Sequence, residues 1–218
     1  MKIAVLGTGM VGEAIGSKLI ETGHTVMMGS RTAENEKAAA FVAKYASGKA
    51  SAGTFADAAA FGEIIFNCTK GIESLNNLKS AGEKNLTGKI LIDVSNPLDF
   101  SKGMPPFLSV CNTDCMAEEI QRTFPGVKVV KSLNTMWCGL MVNPAMIGGG
   151  DHNVFMSGND ADAKKQVAGL LKSFGWSEKN IIDLGDIKSA RGTEMLLPLW
   201  LSIMGVKNTG AFNFKIVS

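Results

Sequence analysis

The stretch that most limits what this chain can become is residues 1–31, where a short apolar run, Lys2-Ile3-Ala4-Val5-Leu6, empties directly into Gly7-Thr8-Gly9-Met10-Val11-Gly12. A second apolar run, Thr25-Val26-Met27-Met28, then leads into Gly29-Ser30-Arg31-Thr32. Strand, glycine turn, helix and second strand in this order form the unit that holds a dinucleotide. Gly7 permits the tight turn, Gly9 lets the backbone approach a pyrophosphate, and Gly12 lets the new helix lie close to the sheet. The helix offers unpaired backbone N–H groups and the positive end of its dipole to the phosphates. Val11, Ile15 and Leu19 make a stripe facing the sheet, and Gly12 and Gly16 keep another part of the helix thin. Gly7, Thr8, Gly9, Met10, Val11 and Gly12 are therefore the first candidate cofactor contacts.

The end of the second strand bears on which dinucleotide is held. An NAD site places a carboxylate there to receive the adenosine ribose, but this chain has Gly29, Ser30, Arg31 and Thr32. A 2'-phosphate would meet a hydroxyl and a guanidinium whose planar donors suit phosphate. NADP is favoured over NAD.

The later segments continue the alternation of strand and helix. Residues 33–45 are Ala-rich and charged, a helical composition, and residues 49–54 return as a short strand. A helical turn near residues 57–60 leads into Glu63-Ile64-Ile65-Phe66-Asn67-Cys68, whose apolar middle reads as a fourth parallel strand. Ligands of open parallel sheets collect beyond the C-terminal strand ends, so Asn67, Cys68, Thr69 and Lys70 join the cofactor candidates. Residues 73–81 form a weaker helix. Residues 89–94 are the clearest central strand, ending in Ser95-Asn96-Pro97-Leu98, where Asn96 offers both donors and an acceptor beside the constrained Pro97. Residues 99–106, with Gly103 and Pro105-Pro106, read as a loop able to act as a cover.

A helix is expected to begin near Thr113 or Asp114, with Thr113 as its cap and Met116, Ile120 and Phe124 on one face. Cys111 and Cys115 at its start read as small buried thiols. Residues 127–132 make a sixth strand that delivers Leu133-Asn134-Thr135-Met136 to the same edge, a second place for the reacting end of a nicotinamide. Beyond Gly148-Gly149-Gly150 come a strand at 153–157, a helix at 160–174 with Val167, Leu170, Leu171 and Phe174 covering a core, and an extended segment at 181–185. Ser189 can cap a terminal helix that Pro198 bends or divides, and residues 211–216 can form a short last extension. The fold class is α/β, a Rossmann-type doubly wound, mostly parallel sheet with a small C-terminal helical extension. Residues 1–150 are the NADP-binding core, and 151–218 extend the sheet and supply an acceptor-side or dimerisation region.

Composition excludes several other classes. The net charge of +2, from 22 basic and 20 acidic residues, leaves no polyelectrolyte footprint, so no nucleic-acid partner is expected. Cys68, Cys111, Cys115 and Cys138 form no close pair, and His24 and His152 are isolated, so neither a disulfide scaffold nor a metal site is expected. The start of the chain has no secretory pattern and the apolar run at 195–201 is too short to span a bilayer, which predicts a cytoplasmic protein without a membrane partner.

The combination of Gly7-Thr8-Gly9-Met10-Val11-Gly12, Gly29-Ser30-Arg31-Thr32, Lys131-Ser132-Leu133-Asn134-Thr135 and the 198–210 region resembles the deazaflavin-dependent NADP oxidoreductase family over nearly the whole chain. The family includes the oxidoreductase domain of some metal-reducing membrane proteins. The resemblance implies that Ser30, Arg31 and Thr32 hold the NADP 2'-phosphate. It also implies that the ends of the fourth and fifth strands, carrying Asn67, Thr69, Asn96 and Pro97, form the nicotinamide side, with a homodimer built on the last helix and tail. It implies hydride transfer between NADP(H) and a second planar cofactor, a deazaflavin or flavin. Where deazaflavin-using members place a histidine near the acceptor, the matching position here is Asn134, which cannot carry an imidazolium charge. A deazaflavin, a flavin or another small acceptor all stay open. No nucleophile-base-acid constellation stands out, as hydride transfer between two bound rings would allow. An NADP-dependent dehydrogenase acting on a carbonyl, 2-hydroxyacid or imine is the alternative enzyme, and a non-catalytic NADP(H) sensor is the third reading.

Overall fold

The strands are short apolar runs with both faces covered, as parallel sheets require. In a computed structural model of the chain, which describes residues 1–46 and 48–217, they form one eight-stranded sheet. The strands are β1 (Lys2–Leu6), β2 (Thr25–Ser30), β3 (Ala50–Thr54), β4 (Ile64–Asn67), β5 (Ile90–Asp93), β8 (Lys128–Ser132), β9 (Val154–Gly158) and β10 (Ile181–Asp183). Their order is β10-β9-β8-β5-β4-β1-β2-β3, and every pairing is parallel except β8 with β9. From β1 the chain builds outward first to β2 and β3, then crosses back to β4 and β5. The switch point where ligands bind therefore lies between β1 and β4.

Alternation along each strand divides the interior into two cores. Ile3, Val5, Phe66, Ile92 and Val130 face one side, where α1 (Met10–Glu21), α2 (Glu36–Ala43), α7 (Cys138–Val142) and α8 (Ala161–Ser173) pack. Ala4, Leu6, Ile65, Leu91 and Val129 face the other, under α3 (Phe55–Phe61), α4 (Ser74–Ala81), α5 (Glu83–Leu86) and α6 (Met116–Thr123). Gly16 makes α1 thin enough for the Phe41 ring, which would lie 2.9 Å from a Cβ at that position. The α8 face carries Val167, Leu170, Leu171 and Phe174 inward, and Asp160 caps its start by accepting from the Ala163 N–H at 2.8 Å.

Several boundaries differ from the sequence reading. The helix expected over 33–45 is confined to Glu36–Ala43, because Asn35 caps it by accepting from Ala38 N at 3.0 Å. The loop expected over 99–106 is the turn of an antiparallel hairpin, β6 (Leu98–Asp99) with β7 (Phe107–Leu108). Thr113 does not cap the following helix. α6 begins at Met116, and the carboxylate of Glu194 takes its first two N–H groups, Met116 N at 2.9 Å and Ala117 N at 3.2 Å. Of the two thiols at that helix start Cys115 is buried, but Cys111 is exposed. Ser189 is not a side-chain cap either, since its hydroxyl donates to Leu184 O. Pro198 divides the terminal helix into α9 (Ala190–Met195) and α10 (Leu197–Lys207), where it occupies the first turn and its missing N–H costs nothing. Residues 211–216 form no strand, although Asn153 N donates to Phe214 O and ties the tail to the start of β9. No helix among the described residues is long and apolar enough to cross a membrane.

Candidate functional site

The C-terminal ends of β1, β2, β4, β5 and β8 meet at one edge, and a continuous cleft runs along it in two stretches. The first, about 600 Å³, is lined by Gly7, Thr8 and Gly9 on one side, by Ser30, Arg31 and Asn35 at one end, and by Cys68, Thr69 and Lys70 opposite. Gly7 has φ +114°, open only to glycine, and an added Cβ would meet the Cys68 carbonyl at 2.7 Å. Gly9 precedes α1 in an extended conformation, with nothing within 4 Å of where a Cβ would stand. No side chain caps α1, so its first N–H groups point at open space. Glycine turn and uncapped helix together fit a pyrophosphate.

At the β2 end Ser30 is buried and its hydroxyl donates to Thr32 O at 2.5 Å, which folds the Ser30-Thr32 turn. Arg31 and Lys70 are exposed and, among the described residues, pair with no carboxylate. They are the cations of this stretch. Thr32 does not line it, Met10 projects outward at 76 % exposure, and Gly12 lies beneath the turn.

The second stretch, about 410 Å³, shares Cys68, Thr69, Lys70 and Ile72 with the first and continues past Val11, Val94, Ser95 and Asn96 to Leu98, Asp99 and Phe100 of the hairpin. Its lining is mainly apolar. Asp99, the carboxyl that lines it, is held below the ordinary carboxylate range by the Ser101 N–H, assisted by the Ser101 hydroxyl. Cys68 is kept as a thiol, its pKa raised by desolvation and then by the charge of Asp93.

Asn67, expected at the cofactor, is turned away from the cleft. It is fully buried, with Nδ2 donating to Asp93 Oδ1 at 2.8 Å and to Ser74 Oγ at 3.1 Å, while its Oδ1 accepts from Thr69 Oγ1 at 2.7 Å. Asn67 therefore orients Thr69. Asn96 and Asn134 hold each other: Asn134 Nδ2 donates to Asn96 Oδ1 at 2.9 Å, and Asn96 Nδ2 donates to the Asn134 carbonyl at 2.9 Å. Asn134 Nδ2 also donates to Thr193 O at 3.1 Å, which joins the β8 end to α9. Asn134, Thr135 and Pro97 are buried behind the cleft, and Leu133 turns the chain there in a left-handed conformation, φ +65°.

Sequence reasoning missed a buried ionic cluster beneath this wall. Lys131 Nζ lies 2.7 Å from Asp93 Oδ2 and 2.8 Å from Glu194 Oε1, with all three side chains at most 1 % exposed. Burial pulls the ammonium down, but the Asp93 and Glu194 carboxylates outweigh it and raise its pKa. A lysine directly after Val129-Val130 in a central strand was the available signal. Glu118 on α6 pairs bidentately with Arg191 on α9 at 2.6 and 2.7 Å, clamping the same two helices.

Arg191 holds the Glu118 carboxyl below its ordinary value of 4.5, against burial. A depressed carboxyl contributes stability that is complete above the unfolded pKa and lost as pH falls through the folded one. The urea midpoint difference between wild type and Glu118→Gln is therefore expected to be constant above pH 4.5 and to shrink below it. A difference that grows on acidification would contradict the clamp.

A doubly wound parallel sheet with this glycine turn and an acid-free, cationic second-strand end defines a Rossmann-type, NADP-dependent oxidoreductase. The family described as NADP oxidoreductase, coenzyme F420-dependent, matches residues 2–97. A crystal structure from Arthrobacter sp. FB24, provisionally described as an F420-dependent NADP-reductase, is 51 % identical, with a TM-score of 0.93 and full coverage of both chains. The chain belongs to this F420-dependent NADP oxidoreductase family. The F420-dependent NADP reductase of Methanothermobacter marburgensis is 28 % identical over 95 % of this chain and 94 % of its own. Metalloreductase STEAP3 of Rattus norvegicus is 28 % identical over 91 % of this chain, which spans 38 % of that longer protein.

Proposed function

We propose that the protein transfers hydride between NADP(H) and a planar deazaflavin or flavin acceptor, with the nicotinamide in the second stretch of the cleft. The observation that carries this reading is the division of one continuous cleft into a phosphate-ready half and a mainly apolar half. The α1 N-terminus and Gly9 receive the pyrophosphate, Arg31 receives the 2'-phosphate end beside the turn that Ser30 folds, and Lys70, lining both stretches, stands between them. NADPH supplies two electrons and a hydrogen as hydride from its C4, and the acceptor takes a further proton from solvent where its chemistry needs one. Val11, Ile72, Val94, Leu98 and Phe100 exclude water from the rings, and Thr69, Ser95 and Asn96 offer the polar contacts that orient them. Asp99, held ionised, is a poor proton donor at neutral pH, so it does not supply the proton that carbonyl reduction needs.

The test is a spectroscopic screen of NADPH-loaded protein with coenzyme F420, FMN, riboflavin, a ferric chelate, a 2-oxoacid and a cyclic imine. Oxidation by a deazaflavin or flavin is expected. Oxidation by the oxoacid or imine alone would make the protein a dehydrogenase. Stoichiometric NADPH binding without any oxidation would make it a sensor.

The cofactor preference has its own expected result. Arg31→Ala should weaken NADPH binding by about tenfold to a hundredfold, the worth of a charge-assisted contact, and leave NADH binding unchanged. Equal affinity of the wild type for both, measured by titration, would remove Arg31 from the 2'-phosphate.

A further inference from the structure

Lys131 joins two parts of the fold through one ammonium, the end of β5 and helix α9. Its Nζ donates to Asp93 Oδ2 at the end of β5, to the Ser95 carbonyl at 2.5 Å, and to Glu194 Oε1 on α9. Three N–H groups meet three acceptors, and the side chain is fully enclosed.

On the cofactor side the chain of contacts is short. Asp93 Oδ1 accepts from Ser95 Oγ at 2.8 Å, from Ser95 N at 3.2 Å and from Asn67 Nδ2 at 2.8 Å, and Asn67 in turn orients Thr69. Ser95 and Thr69 both line the second stretch of the cleft. On the other side Glu194 fixes the start of α6, and its neighbour Thr193 accepts from Asn134. A buried ion cluster is a weak source of stability, because the desolvation of its charges offsets their attraction. Well-packed apolar residues would hold these elements together equally well, so stability alone does not account for the arrangement.

We propose that Lys131 is a positioning residue for hydride transfer, holding Thr69 and Ser95 on the cofactor wall in a fixed register with α9 behind it. This role rests on the reading of the cleft as an NADP(H) hydride-transfer site. The phosphate contacts assigned to Gly9, the α1 N-terminus and Arg31 lie outside this hydrogen-bonded network, so Lys131 governs how the ring is held and has little influence on whether the dinucleotide binds.

The experiment compares wild type, Lys131→Met and Glu194→Gln. NADPH titration counts the binding sites, and single-turnover oxidation by coenzyme F420, or by FMN, uses NADPH deuterated on either face of C4. Wild type is expected to transfer from one face only, read from the deuterium retained in NADP⁺. Lys131→Met should bind NADPH within about threefold of wild type, while its rate per bound site falls by about thirtyfold or more and transfer from the second face appears. Glu194→Gln, which keeps an acceptor for Lys131, should lower that rate by about fivefold with NADPH binding unchanged. A purely structural role would reduce the number of binding sites and leave rate per site and face selectivity unchanged, and that result overturns the proposal. If Lys131→Met does not fold, Glu194→Gln decides by the same readouts. A wild type that binds NADPH but reduces no acceptor overturns the hydride-transfer reading and this role with it, whereas wild-type turnover with unaltered variants overturns this role alone.

Discussion

Gly12→Val is expected to lose NADPH binding by about a hundredfold or more and to melt well below the wild type. A Cβ at Gly12 would stand 2.0 Å from the Gly7 carbonyl oxygen and 3.0 Å from its carbon. Both are backbone atoms of the turn that faces the phosphates, so no side chain can swing aside to make room. Overpacking of this kind costs about 1–3 kcal/mol even where side chains can shift, and here the relief must come from moving the turn or lifting α1 off β1. Either movement takes the α1 N–H groups away from the cofactor. Gly9→Ala is the informative contrast. Its Cβ meets nothing in the protein, so the melting temperature should hold while NADPH binding falls, because the methyl group enters the space assigned to the pyrophosphate. Thermal melts and NADPH titrations of the two variants check both statements. Wild-type affinity in Gly12→Val would mean that the turn does not touch the cofactor.

Glu194→Leu carries the largest expected loss of stability, about 3–5 kcal/mol. The carboxylate is 1 % exposed and receives Lys131 Nζ and the first two N–H groups of α6. Leucine fills a similar volume but accepts nothing, so two backbone donors and one ammonium hydrogen lose their partner inside the protein. For a chain of this size that corresponds to a fall in melting temperature of roughly 6–20 °C. Scanning calorimetry at neutral pH measures it, and a change under about 2 °C would show that water or a rearranged side chain replaces the carboxylate.

The frame was legible in the sequence because parallel strands buried on both faces are short continuous apolar runs. Residues 2–6, 64–67 and 90–93 announce themselves in that way. The glycine turn and the acid-free Ser30-Arg31 end were equally local signals. What stayed hidden depends on partners far along the chain. Thr113 offers a hydroxyl at the expected place for a cap, yet the cap of α6 is Glu194, 78 residues from Met116. Asn67 looks like a strand-end polar group free to meet a ligand, and only Asp93, 26 residues on, shows that its amide is already committed. Lys131 is hidden for the same reason: a lysine in a strand reads as an edge charge until two carboxylates are brought to it by β5 and α9. The short hairpin around Pro97 escaped notice because two-residue strands have no periodicity to detect.

The reciprocal amide pair of Asn96 and Asn134 has a consequence for redesign. The Asn96 amide is held at both ends, its Oδ1 by the Asn134 side chain and its Nδ2 by the Asn134 backbone carbonyl, and Asn134 commits both hydrogens of its own amide, one to Asn96 and one to Thr193. A neutral imidazole at position 134 has a single N–H and could serve only one of them. Exchanging Asn134 for histidine would therefore give up one of these two donations, to Asn96 or to Thr193, while the donation from Asn96 Nδ2 to the backbone carbonyl of residue 134 persists. A library that varies positions 96 and 134 together should therefore yield folded variants that substitution at position 134 alone does not reach.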